Sequence, residues 1–269
     1  MKKRNFSFAD ALRSASIVAL MVAGIAAFAE DSAVSVVIAP PPVGYPSIEA
    51  GTKTAQIGVN GLYASYEANG FDLTFFGASL LIDAQQCTSD RIALNGSAGI
   101  SMLAGDKYDL LVLQVPINGD IIFKLAGNRS FSVFAFGGAT GNLGMTTMTM
   151  TVPQWVPYTT TFVNDDTTIT TMMLTGTALG GLQANIPVSS FIISPFGFCT
   201  ITGGTWSSTM TSSMSYSYPS SSGSIDPTTG FVLGFDALYV PLNFALSSQF
   251  HRDADFTLIT VASKWKIGK

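Results

Sequence analysis

Charge is scarce in this chain of 269 residues: Asp, Glu, Lys and Arg together make up 11%, against roughly a quarter in an average soluble domain. That deficit argues against an ordinary cytosolic enzyme. Histidine occurs once and cysteine twice, which excludes most Cys/His zinc frameworks and leaves room for at most one disulfide. No apolar run reaches 18 residues, so no membrane-spanning helix is expected. Beyond residue 29 the chain holds nine Lys and Arg against sixteen Asp and Glu, a mildly acidic balance with no basic patch. Nucleic acid is not an expected partner.

What is present begins with an address. Lys2, Lys3 and Arg4 open the chain, and Ile17–Ala29 is apolar or small, ending in Ala27-Phe28-Ala29. That order is the layout of a secretory signal peptide over residues 1–29, with cleavage after Ala29. No cysteine follows the cleavage site, so a lipid anchor is not expected. Residues 30–52 contain Pro40-Pro41-Pro42 and Pro46 and read as an extended, Pro-rich periplasmic tether. Residues 53–269 then form the folded unit.

Within that unit, segments of 10 to 20 residues alternate apolar with polar and are rich in Val, Ile, Phe, Tyr and Thr, which is strand chemistry. Ile92, Leu94, Ala98, Ile100 and Met102 share one face, while Asn95, Ser97, Gly99 and Ser101 share the other. Met172, Leu174, Ala178, Leu182, Ala184 and Ile186 likewise oppose Thr175, Thr177, Gln183 and Asn185. Near the end, Ile259, Val261, Trp265 and Ile267 oppose Thr260, Ala262, Lys264 and Lys266. The runs are 54–66, 71–84, 91–104, 108–125, 131–147, 167–186, 191–208, 229–250 and 256–267. Most charges fall between them. Long strands with uncharged middles suit a hydrocarbon slab, which a strand crosses in ~9–11 residues, and a closed barrel satisfies every backbone group there. A secreted soluble β-sandwich is the competing fold.

The signal peptide, the long alternating strands, the short Ala126-Gly-Asn-Arg-Ser130 turn and two longer polar loops resemble the small outer-membrane β-barrel proteins of Gram-negative bacteria. Ser132-Val-Phe-Ala-Phe-Gly-Gly138 and Gly234-Phe-Asp-Ala-Leu-Tyr-Val-Pro-Leu-Asn243 are similar to barrel strands of that group. The resemblance implies an all-β, transmembrane antiparallel barrel in the bacterial outer membrane, both termini in the periplasm, and partnership with outer-membrane lipid and the barrel-assembly machinery. It also implies an even number of strands, whereas nine runs are visible. Pro116 and Pro241 both interrupt runs. Splitting at Pro116 leaves pieces too short to cross, so a bulge is expected there. Splitting at Pro241 gives Phe231–Val240 and Leu242–Phe250, hence about ten strands, with eight plus a peripheral hairpin as second choice and a strand hidden in Met148–Val163 as another route to even parity. The family commonly ends on an aromatic residue; this chain ends Trp265-Lys-Ile-Gly-Lys269.

A barrel of eight to ten strands encloses little beyond its own side chains, so a packed polar lumen without a general diffusion pore is expected. The facing of Asp236 and Lys124 is open. His251, with Ser247 or Ser248 nearby, is the one arrangement a hydrolase might use; the competing reading is a solvated turn histidine. No catalytic residue, metal or cofactor is assigned. Cys87 and Cys199 are a turn position and a mid-strand position, poorly matched for a disulfide. The loops 147–168 and 209–229 carry Trp155, Tyr158, Tyr216 and Tyr218, aromatic residues on Ser/Gly-rich segments that make contact surfaces at low entropic cost. These four are the binding candidates, for an extracellular ligand taken by the long loops. Trp155, Trp206 and Trp265 are also candidates for aromatic girdles. The role expected is structural or surface-interacting, with a narrow solute channel, a membrane-embedded lipid-modifying enzyme and a soluble β-protein as alternatives.

Overall fold

A computed structural model of the chain describes residues 50–68, 71–107, 109–127, 131–155, 162–212, 220–253 and 256–267. The proposed signal peptide and all but the last three residues of the tether lie outside them. Ten strands follow in chain order: β1 (Lys53–Ala68), β2 (Phe71–Cys87), β3 (Ile92–Gly105), β4 (Leu111–Gly127), β5 (Ser132–Trp155), β6 (Phe162–Val188), β7 (Phe191–Ser212), β8 (Ser221–Tyr239), β9 (Phe244–Arg252) and β10 (Phe256–Ile267). Each pairs antiparallel with the next, and β1 pairs with β10, closing the sheet into a barrel. Closure leaves no unpaired edge, the condition a sheet must meet inside hydrocarbon.

Following paired residues from Asn60 in the two directions around the wall reaches β7 at Trp206 one way and at Ser194 the other, a stagger of twelve residues. For ten strands this stagger corresponds to a tilt of about 40° and a backbone diameter of about 20 Å. An interior that narrow fills with side chains.

Local chemistry explains the strand breaks. Val240–Leu242 is a single 3-10 turn between β8 and β9, closed by Asn243 in the left-handed region at φ 50. The fixed φ of Pro241 suits the start of such a turn, so the chain divides there and ten strands result. Pro116, by contrast, remains inside β4 without a bulge. Ala98 pairs with Ile117 and Ser101 with Gln114 in an unchanged register, and only the two rungs between are missing. The sheet tolerates a lost donor at one rung more readily than a shift that would turn every later side chain over. Register shifts occur elsewhere, at Lys124/Ala126 and at Thr202/Gly204. Among the described residues Met148–Val163 adds no strand; they lengthen β5 and β6, which pair out to Trp155 and Phe162.

The two faces separate as the alternation requires. Leu94, Ile100, Met102, Leu174 and Leu182 are exposed on the outer wall, and Asn95, Ser101, Thr175, Thr177 and Gln183 are buried in the lumen. Exposed Leu80, Ile82, Ile117, Ile121, Ile201, Leu233, Leu246, Ile259 and Val261 continue the apolar band around the barrel. An apolar outer belt on a closed barrel is what a bilayer demands and water penalises. The belt and closure place the chain in lipid, and barrels of this type belong to the outer membrane.

The lumen corrects one expectation. Its middle is polar, but apolar side chains pack it on both sides of that layer. Tyr66, Leu73, Phe75, Leu103 and Val112 cluster toward the end away from the termini, while Ile122, Phe134, Phe136, Phe196 and Phe198 cluster nearer the termini. The Phe136 and Phe198 rings meet edge-on with centroids 5.7 Å apart. Small inward residues make space for them: a Cβ on Gly181 would collide with Phe198, and one on Gly234 with the Phe196 ring. The barrel is therefore closed by apolar packing as well as by hydrogen-bonded polar groups.

Candidate functional site

The polar middle layer is held by short contacts across the wall. Asn60 Nδ2 donates to Ser79 Oγ at 2.6 Å, Thr140 Oγ1 to Asn118 Oδ1 at 3.0 Å, and Thr177 Oγ1 lies 2.8 Å from Thr202 Oγ1. Asn118 also donates to Asp120. Asp83, Asp120 and Asp236 are buried inside this layer, which settles Asp236 as lumenal. Lys124 lies on the same inward parity of β4 as Asn118 and Asp120 and is half-buried near the termini. A lumen braced in this way and flanked by apolar clusters is built as a plug.

His251 is not a solvated turn residue. It is the penultimate residue of β9 and is buried on the lumenal side. Ser247 shares that face four residues earlier and is also buried, a separation of roughly 13 Å along a strand, beyond hydrogen-bond reach. The hydroxyl near the imidazole is instead that of Thr200: a Cβ placed on Gly230 would sit 2.9 Å from both His251 Nε2 and Thr200 Oγ1. The sequence offered no sign of this proximity, because Thr200 on β7 and His251 on β9 approach each other only across the side-chain-free Gly230 on β8. Among the described residues no group of His, Cys, Asp and Glu could hold a metal ion. No disulfide joins the two cysteines, and the wall separates them, since Cys87 is buried while Cys199 is exposed on the outer face.

The largest departure from a minimal barrel is the length of its middle strands. β5, β6 and β7 have 24, 27 and 22 residues, whereas β9 has 9 and β10 has 12. A crossing needs only ~9–11. The excess stands at the end away from the termini, where β5–β8 continue as a free-standing extension of the wall.

On this extension the outer face changes character while its parity is kept. Leu143, Met172 and Leu174 are outward in the belt. Beyond them the outward rows become Thr147, Thr149 and Thr151 on β5, Thr168 and Thr170 on β6, and Thr205, Ser207, Thr209 and Thr211 on β7. The registers align these rows: Thr147 pairs with Thr170, which pairs with Thr209, and Thr149 pairs with Thr168, which pairs with Thr211. Their hydroxyls are tied in place. Thr149 Oγ1 lies 3.1 Å from Thr168 Oγ1, Thr151 Oγ1 donates to Asp166 Oδ1 at 2.7 Å, and Thr211 Oγ1 donates to the Thr168 carbonyl at 3.3 Å. The inner face is mixed: Met173, Trp206 and Ile225 pack together and Met148 lies against the lumenal cluster, beside buried Asp165, Thr167 and Thr171. Trp206 is thus buried inside and belongs to no girdle.

Of the four binding candidates, the structure describes only the backbone of Trp155. Trp155 is the last residue of β5 and pairs with Phe162. Tyr158, Tyr216 and Tyr218, with the rest of 156–161 and 213–219, lie outside the described residues. The surface row of threonines was missed because Thr147–Thr168 and Thr209–Thr229 read as loops.

Charge is divided between the two ends. Asp72, Asp106, Asp109, Asp165, Asp166 and Asp253 lie toward the extension end, with Lys107 and Arg252. Lys53, Arg91, Lys124, Lys264 and Lys266 lie toward the termini, with Asp90.

No family model and no curated protein matches the chain. Solved structures do resemble it. The outer-membrane protease OmpT of Escherichia coli superposes with a TM-score of 0.54 at 10% identity, over 80% of this chain and 96% of that one. The translocator domain of the autotransporter NalP from Neisseria meningitidis gives 0.41 at 8% identity, over 97% and 98%. The transport unit of the autotransporter AIDA-I from E. coli gives 0.41 at 10% identity, over 90% and 96%. The first likeness bears out the barrel fold, and at this identity it speaks to fold alone.

Proposed function

We propose that the chain is a surface-interaction protein of the outer membrane, anchored by a closed barrel and presenting the β5–β8 extension outside the cell. The observation that carries this reading is the change of the outer face from Leu, Ile and Met to rows of Thr and Ser once β5–β7 pass the belt. Short turns such as 189–190 and 240–243 lie at the termini end and longer hairpins at the other, the arrangement that sets short turns toward the periplasm and long loops outward. Fixed hydroxyls in register, together with the sequence's binding candidates Trp155, Tyr158, Tyr216 and Tyr218, suit a neutral polyhydroxylated ligand such as a polysaccharide. Hydroxyl rows exchange hydrogen bonds with sugar hydroxyls, and aromatic rings cover sugar faces at low entropic cost. The lumen is read as closed to solutes, its polar layer lying between two apolar clusters.

The test is binding of intact cells bearing the protein to a panel of immobilised polysaccharides. Deleting residues 213–219, or converting Thr149, Thr168 and Thr211 to Val together, is expected to abolish capture while the barrel keeps its heat-dependent electrophoretic shift. Undiminished capture by both variants would overturn the assignment.

A further inference from the structure

A second surface lies at the opposite end of the barrel. A groove of about 610 Å³ is lined by Lys53 and Ala55 on β1, Ala84 and Gln86 on β2, and Leu94 and Gly96 on β3, together with the backbone between them. All its walls come from three neighbouring strands and none from across the lumen, so it opens on the outer face. Ala55, Ala84 and Gly96 leave a hollow in the wall, bordered by the larger outward side chains of Leu94 and Ile82. The hollow runs from the apolar belt, where Ile82 and Leu80 continue the row of Ala84 on β2, to a polar rim where Lys53 pairs directly with Gln86.

The rim is firmly held. Gly51 N–H donates to the Cys87 carbonyl and Cys87 N–H to the Thr52 carbonyl, each at 2.9 Å, and Ala50 N–H donates to Asp90 Oδ1 at 3.1 Å. The carboxylate on this rim therefore already accepts a backbone hydrogen bond, and the next residue of the same turn, Arg91, is an exposed cation like Lys53.

We propose that this groove seats one anionic phospholipid, an acyl chain lying in the hollow over Ala84 and Gly96 and the phosphate meeting the Lys53 ammonium and the Gln86 amide. Charge complementarity selects the occupant: an apolar trough that ends in a cation, on the basic end of an otherwise acidic protein, matches a molecule with a hydrocarbon tail and a negative head. A Lys near a membrane surface favours an anionic headgroup by roughly fivefold.

Native mass spectrometry of the full chain, extracted from vesicles of equal parts phosphatidylglycerol and phosphatidylcholine, tests the assignment. Wild type is expected to retain one phosphatidylglycerol in preference to phosphatidylcholine. Lys53→Gln, a change at an exposed site, should cut that preference about fivefold, Ala84→Leu should lower retention of both lipids, and Lys107→Gln at the other end should change nothing. Each protein is first checked for the heat-dependent shift of a folded barrel. Equal retention of the two lipids by wild type, an equal loss in Lys107→Gln, or an adduct with inorganic phosphate in the absence of lipid would each overturn the proposal. None of these outcomes bears on polysaccharide capture by the extension.

Discussion

The belt and the extension of β6 are one continuous strand with one parity, yet their outer faces are opposite in chemistry. From Leu182 to Met172 the outward residues are apolar or glycine, and the inward side holds Thr177 and Thr175 together with Leu179 and Met173. Four residues further, Thr170 and Thr168 face out and Ile169 is buried. β5 makes the same exchange between Leu143 and Thr147, and β7 between Ile201 and Thr205. Backbone pairing is the same throughout; the difference is the solvent outside the wall. Where hydrocarbon surrounds the sheet its outer face must be apolar, and where water surrounds it the usual arrangement of a soluble sheet returns.

This contrast can be broken most severely from within. Gly181→Val sets a branched side chain against Phe198 and the Gly197 carbonyl and is expected to cost about 3 kcal/mol or more through overpacking, seen as loss of the heat-shifted band. Its neighbour Leu182 points outward, and Leu182→Arg should cost about 2–4 kcal/mol in urea titrations of the reconstituted barrel. The same substitution on the same parity in the extension, Thr168→Arg, should stay within about 0.5 kcal/mol. Thr177→Val removes one hydroxyl of the buried pair with Thr202 and should cost about 1 kcal/mol. A comparably small effect, about 0.2–0.5 kcal/mol, is expected for Thr149→Val, which loses the part-buried hydroxyl contact with Thr168 but keeps the cross-strand packing. Equal costs for Leu182→Arg and Thr168→Arg would show that the two regions share one environment.

Much of this architecture was legible in the residues. The alternation of 92–102 and 172–186 named the outward and inward faces correctly, and Pro241 marked the turn that makes the strand count even. The extension was hidden by the exchange of faces. A search for apolar-outward strands stops at Thr147 and restarts at Thr167, because Thr-Met-Thr-Met-Thr carries the alternation with its phase reversed. The apolar lumen clusters were hidden for a related reason: in Leu62–Tyr66 and Leu73–Phe76, outward Tyr63 and Phe76 stand against inward apolar residues and blur the alternation. The proximity of His251 and Thr200 depends on an absent side chain at Gly230, a relation across three strands that no local pattern contains. Trp155 could be placed from its ladder partner, while Tyr158, Tyr216 and Tyr218 fall outside the described residues.

The central claim is that one wall passes from lipid into water along β5–β7, and accessibility to a charged, water-soluble maleimide in reconstituted vesicles tests it most directly. With Cys87 replaced by Ala, the native Cys199 is exposed on the outer wall at a belt position beside Gly180. It should resist labelling in the folded barrel and react fully once the protein is unfolded in urea. A cysteine introduced by Thr168→Cys in a chain lacking both native cysteines should react at once in the folded state. Labelling of folded Cys199 as fast as the Thr168→Cys site would contradict the account, because the apolar belt would then face water.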